Sequence, residues 1–168
     1  ILIMKLEKNI ISYKFKIVIS VGDESGIGPE IILKALYSNE VPKNIDILLV
    51  GSKNNIKNTY FQLKSMGLTN IVNPKELEIF DPEIPFDQDN HKLSFGNASF
   101  YYLKKAIEIV QKNPDSALVT GPICKKSWAL AGHKFAGQTE VLAESSGVKD
   151  VGMLFTAKSP LTGWRFNT

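Results

Sequence analysis

A chain of 168 residues with 43% hydrophobic and 22% charged content can bury roughly 70% of its unfolded surface, which predicts a globular core and excludes a disordered chain. Its 20 Lys and Arg against 17 Asp and Glu leave a net charge of +3; the charges are scattered, with no basic stripe interleaved with aromatics, so nucleic acid is not an expected partner. One cysteine, Cys124, excludes an intrachain disulfide framework and fits a reducing compartment, so the cytoplasm is the expected location.

The opening Ile1-Leu2-Ile3-Met4 is broken at once by Lys5, Glu7 and Lys8, too early for a signal peptide. No stretch approaches the ~18 apolar residues of a membrane span, so no membrane partner is expected. A first residue of Ile, with Met4 soon after, reads as a fragment or as a translated open frame.

Lys16 to Val21 is short, β-branched and bounded by Gly22, the pattern of a buried strand. Pro29 then opens a predicted helix, with Gly28 ahead of it and Ile31, Ile32, Ala35 and Leu36 as its apolar stripe. The unit recurs as a strand from Asp46 to Val50, then Gly51, then a helix from Asn54 to Met66 closed by Gly67. Pro74 to Asn97, with Pro82, Pro85 and the polar cluster Asp87 to Asn90, predicts a loop holding one strand around Leu77 to Phe80. Phe100, Leu103, Ile107 and Val110 place a helix over Ala98 to Val110; Ser116 to Thr120 returns to strand, and another strand is expected at Val151 to Thr156. Such alternation predicts an α/β fold with a largely parallel sheet.

Three segments carry candidate chemistry. Gly22-Asp23-Glu24-Ser25-Gly26-Ile27-Gly28-Pro29-Glu30 sits at a strand-to-helix junction, where glycines and helix amides can hold an anion. Its glycine spacing is neither a dinucleotide fingerprint nor a P-loop, and Asp23 and Glu24 would repel a phosphate, so a plain tight turn reads equally well. Thr120-Gly121-Pro122-Ile123-Cys124-Lys125-Lys126 follows a predicted strand, where ligands gather in open α/β sheets. One of its lysines could meet a phosphate or carboxylate, while the other reads as solvated charge. Cys124 reads more readily as a small buried hydrophobe than as a nucleophile.

Ala131 to Glu140 runs into a helix predicted near Thr139, with Gln138 and Thr139 as neutral hydrogen-bonding groups at its start. His133, like His91 in the polar loop, reads as a surface or internally satisfied histidine. Two separated histidines do not make a three-ligand catalytic metal site.

Taken in order, Gly-Asp-x-x-Gly-Ile-Gly-Pro-Glu, Thr-Gly-Pro-Ile-x-Lys and Ala-Gly-x-x-x-x-Gly-x-Thr-Glu resemble the 4-hydroxythreonine-4-phosphate dehydrogenases. The tail from Met153 to Thr168 is similar to that of cyanobacterial members. The likeness runs from about Lys16 to Thr168.

The resemblance implies a two-domain α/β fold similar to isocitrate and isopropylmalate dehydrogenases, here truncated, in a homodimer with active sites at the interface. Residues 1–132 would then be the amino-terminal portion of domain one and 133–168 the beginning of domain two. It implies oxidation of the 3-hydroxyl of 4-phosphooxy-L-threonine with NAD or NADP, in pyridoxal phosphate synthesis, assisted by a divalent metal (Zn, Mg or Co). The family's Gly-His-Thr-Glu substrate contact falls on Gly137-Gln138-Thr139-Glu140, so Gln138 and Thr139 would inherit substrate binding. The implied metal ligands all fall beyond Thr168, so none is carried by this chain, which by itself would be inactive. Two further readings are a non-catalytic binding module derived from the enzyme and a dehydrogenase of another phosphorylated hydroxy acid.

Overall fold

The computed structural model describes residues 15–42, 44–84 and 91–167. The polar cluster at Asp87 to Asn90 and the opening Ile1 to Met4 lie outside the described residues, as does the His91 side chain. The chain divides into two compact units, the first ending at Lys134 and the second starting at Phe135.

The first unit runs β1 (Phe15–Ser20), α1 (Gly28–Tyr37), β2 (Ile45–Val50), α2 (Lys53–Ser65), a single 3-10 turn (Pro74–Glu76), β3 (Glu78–Phe80), α3 (His91–Gln111), β4 (Ser116–Thr120) and α4 (Lys125–Leu130). Its four strands form one parallel sheet in the order β3-β2-β1-β4. β1 is central, pairing along its length with β2 (Phe15 opposite Ile45) and with β4 (Lys16 opposite Ser116). Successive side chains of a strand point to opposite faces, so β1 feeds two cores. Ile19 and Val21 join Ile32 and Leu33 of α1 and Ile56 and Leu63 of α2 on one side. Val18 joins Leu48, Val50 and, from α3, Ala98, Tyr102 and Ala106 on the other. Strands covered on both faces explain the unbroken apolar runs Ile-Val-Ile and Ile-Leu-Leu-Val.

Three expectations need correction. The buried face of α1 is Ile32 and Leu33 with Leu36 partly buried, whereas Ile31 and Ala35 are exposed. Pro29 is itself buried, and 3.6-residue periodicity from that position leads to 32, 33 and 36. α3 starts at His91, not Ala98, so the irregular stretch is shorter than its polar composition suggested. Composition failed there because Gly96 and Ser99, poor helix formers in isolation, are buried in the contact with α4.

In the second unit, α5 (Gln138–Ser146) is followed by a two-stranded antiparallel hairpin, β5 (Thr156–Lys158) with β6 (Arg165–Asn167). The strand expected at Val151 to Thr156 is therefore displaced: only Thr156 belongs to β5. A turn sets the register instead of hydrophobicity, because Ser159 N–H donates to the Trp164 carbonyl at 2.8 Å and Gly163 N–H to Ser159 at 2.9 Å. Val151, Met153, Leu154 and Phe155 remain exposed.

Candidate functional site

The order β3-β2-β1-β4 means that the chain leaves β1 toward β2 on one side while β4 flanks it on the other. In open parallel sheets such a reversal opens a crevice at the carboxyl ends of the strands. Two of the three candidate segments meet there. Gly121 N–H donates to the Ser20 carbonyl at 2.7 Å, and Asp23 N–H donates to the Pro122 carbonyl at 2.9 Å. The approach leaves no room for side chains: a Cβ on Gly22, whose φ is +81°, would lie 2.3 Å from the Pro122 oxygen, and one on Gly121 would lie 2.3 Å from the Val21 oxygen. Both glycines are therefore required by backbone-to-backbone contact.

Ser25 and Gly26 of the first loop find their acceptors on Asp23. The buried Asp23 carboxylate accepts from the Ser25 amide at 2.9 Å and the Ser25 hydroxyl at 2.7 Å. An internal anion thus occupies donors that a phosphate would need. Glu24 accepts a hydrogen bond from the Tyr102 hydroxyl of α3, while its carbonyl accepts from the Asn55 amide of α2 at 3.2 Å. Burial raises the Glu24 carboxyl above the ordinary range; the bonds from Tyr102 and the Ser52 amide oppose this, and the Asp81 and Asp23 charges reinforce it. Burial, the Glu24 bond and the Glu24 charge likewise push the Tyr102 phenol up. Glu24, Ser25, Gly26, Glu30, Asn55 and Asn58 border a cleft of about 450 Å³ between α1 and α2.

On the second loop, Lys125 and Lys126 are both exposed in the first turn of α4. Cys124 precedes them; hydrogen bonds from the Ser127 side chain and backbone hold its thiol below the usual range. His133 is held internally: Nε2 lies 2.9 Å from Asn97 Oδ1, its ring stacks on Phe100 at 3.8 Å, and its amide donates to the Trp128 carbonyl. Burial holds its pKa below the usual value, so it stays neutral near pH 7. Gln138 and Thr139 are half-buried in the first turn of α5, after Gly137, in the second unit.

Sequence reasoning missed Tyr102, Asp81 and the buried Trp128–Ser99 hydrogen bond of 2.7 Å. Tyr102 is 78 positions from Glu24, and nothing local marks it as a partner. Among the described residues no group of three His, Cys, Asp or Glu side chains could hold a metal ion. None of the described helices is long and apolar enough to cross a membrane.

A family model for the pyridoxal phosphate biosynthetic protein PdxA matches residues 43–163. The chain belongs to the PdxA family. It is 42% identical over 161 residues to a 4-hydroxythreonine-4-phosphate dehydrogenase of a Nostoc species, covering 90% of this chain and 44% of that relative. A Synechococcus 4-hydroxythreonine-4-phosphate dehydrogenase is 41% identical over 155 residues, with 91% and 46% covered. Both relatives are cyanobacterial, as the tail suggested.

Among solved structures, a 4-hydroxythreonine-4-phosphate dehydrogenase from Burkholderia phymatum superimposes with a TM-score of 0.71 at 23% identity, covering 92% of this chain and 49% of that one. The Klebsiella pneumoniae enzyme does so with a TM-score of 0.63 at 24% identity, covering 82% and 46%. The α/β fold with its parallel sheet is thus the PdxA fold, and the chain spans less than half the length of these relatives.

Proposed function

We propose that the chain contributes to a dehydrogenase that oxidises the 3-hydroxyl of 4-phosphooxy-L-threonine to 2-amino-3-oxo-4-phosphooxybutanoate. The hydride passes to NAD or NADP and the hydroxyl proton is released. The β-keto acid then loses carbon dioxide to give 3-amino-2-oxopropyl phosphate. The observation that carries this reading is the family match over residues 43–163, which includes the Thr120-to-Lys126 and Gly137-to-Glu140 segments. Gln138 and Thr139 are assigned to substrate binding. An amide does not ionise near neutrality, so Gln138 orients the substrate by hydrogen bonds and moves no proton. Residues 1–132 and 133–168 are assigned to the first and second domains of a homodimer. The exposed Met153, Leu154, Phe155, Leu161 and Trp164 favour a partner surface over the second unit.

The described residues offer no three-ligand metal set, and the first glycine turn spends its donors on Asp23.

The test is a chimera in which residues 1–168 replace the matching half of the Nostoc relative, assayed for NAD(P)H formation with 4-phosphooxy-L-threonine. Turnover is expected. In that chimera Gln138→Ala should lose one hydrogen bond worth about 1–3 kcal/mol and lower kcat/KM by roughly 5- to 150-fold, leaving the pH profile in place. A folded chimera that binds substrate without turning it over would favour the binding-module reading. A Gln138→Ala value within about twofold of the parent would remove Gln138 from the substrate site.

A further inference from the structure

At the β3 edge of the sheet, away from the crevice between β1 and β4, a second cleft of about 590 Å³ lies between α2 and the segment that includes the 3-10 turn and β3. Lys53, Lys57 and Lys75 rim it over a floor that includes Tyr60, Phe61 and Ile79, and no carboxylate is among the described residues that line it. Its size falls within the range of small-molecule sites.

Two of these lysines lie on one helix that has no acid of its own. α2, Lys-Asn-Asn-Ile-Lys-Asn-Thr-Tyr-Phe-Gln-Leu-Lys-Ser, contains no acidic residue. Lys53 occupies its first position, at the positive end of the helix dipole, and Lys57 repeats the charge four residues on, on the same face. A solvated helix surface ordinarily interleaves acids at this spacing. The described ion pairs, Lys16 with Glu78, Lys34 with Glu30 and Lys105 with Glu108, involve none of the three lysines. The helix end itself is occupied, since the Lys53 amide donates to Asp81 at 2.8 Å. Phe61 remains 56% exposed beside these charges, in edge contact with Tyr60 and 6.0 Å from the Lys57 ammonium. Departures from local consistency of this kind concentrate at functional sites.

We propose that this cleft binds a small organic anion with a flat apolar body, of the aryl phosphate class. The ring would lie on Phe61, Tyr60 and Ile79, and the phosphate oxygens would accept from the three ammonium groups. Such a ligand supplies the charge that α2 lacks and covers the exposed ring.

Phenyl phosphate added to the 168-residue chain tests this, with lysine acetylation read peptide by peptide by mass spectrometry. Lys53, Lys57 and Lys75 should be protected, while Lys34, Lys104 and Lys158 react as before. The double variant Lys57→Glu, Lys75→Glu should bind at least about tenfold more weakly, whereas Lys57→Arg, Lys75→Arg should stay within about threefold, which separates charge recognition from misfolding. Inorganic phosphate and phenol should each bind at least about tenfold more weakly than phenyl phosphate. Uniform protection of all lysines, no protection, affinity unmoved by charge reversal, or inorganic phosphate binding as tightly as phenyl phosphate would each overturn the proposal.

Discussion

Glu24 bears the clearest electrostatic cost among the described side chains of the crevice. Burial raises its carboxyl pKa above the unfolded value, with Asp81 and Asp23 adding to the rise. The folded chain therefore holds this proton more tightly than the unfolded chain. The resulting stability is full below pH 4.5, the unfolded value, and is lost as pH rises through the folded value. Glu24→Gln keeps an acceptor for Tyr102 and removes the charge. Its thermal midpoint should equal or exceed that of the parent at pH 7, with a weaker fall between acid and neutral pH, measured by circular dichroism melts. Tyr102→Phe should act in the opposite sense, costing about 0.5–1.5 kcal/mol for the lost hydrogen bond and more at pH 7 than at pH 4. Identical pH dependence in Glu24→Gln and parent would show that Glu24 is not held as described. His133 and Asp23 make a related point: the histidine, read as surface or internally satisfied, has Nε2 beside Asn97 Oδ1, and the Asp23 carboxylate accepts from Ser25.

Among the elements, α3 and α4 pack closely through small residues and a buried tryptophan. Trp128 is fully buried and its indole N–H donates to Ser99, whose hydroxyl donates in turn to the Gly96 carbonyl at 3.1 Å. A Cβ on Gly96 would lie 2.1 Å from the Ser127 carbonyl oxygen and 3.1 Å from the Ala131 Cβ. Gly96→Ala gains about 1 kcal/mol of helix propensity, yet it must separate two backbones, and overpacking costs about 1–3 kcal/mol. A net loss in denaturant midpoint is expected. A variant as stable as the parent would show that α3 and α4 do not approach so closely. The sequence signalled α3 only through its Phe100-to-Val110 periodicity, because the start of this helix depends on the partner that Gly96 and Ser99 meet.

For the whole molecule, the second unit presents Leu154, Leu161 and Trp164 at 73%, 94% and 68% exposure. Single exposed hydrophobes are ordinary, but this many within one short segment argue for a covering surface. The 168-residue chain by itself should give no NAD(P) reduction with 4-phosphooxy-L-threonine and added zinc or magnesium. It lacks a three-ligand metal set among its described residues, and losing such groups typically costs many powers of ten in rate. Measurable turnover by the purified chain would contradict this.

The alternation of strand, glycine turn and helix was legible in the sequence because each signal is local. β-branched runs announce β1, β2 and β4, Pro29 and Gly67 mark helix ends, and three motifs in order point to one family. Strand order was not legible, nor was the meeting of Gly22 with Gly121, because pairing is set by packing between residues about a hundred positions apart. Periodicity alone could not choose which side of α1 would be buried, since Ile31, Ile32, Leu33 and Leu36 supply two overlapping apolar stripes. The sheet chose Ile32 and Leu33 by placing Ile19 and Leu49 beneath them. Glu24 found Tyr102 only because β1 lies against α3 in the folded chain. Local chemistry determined the elements and the family; long-range packing decided which residues share a site.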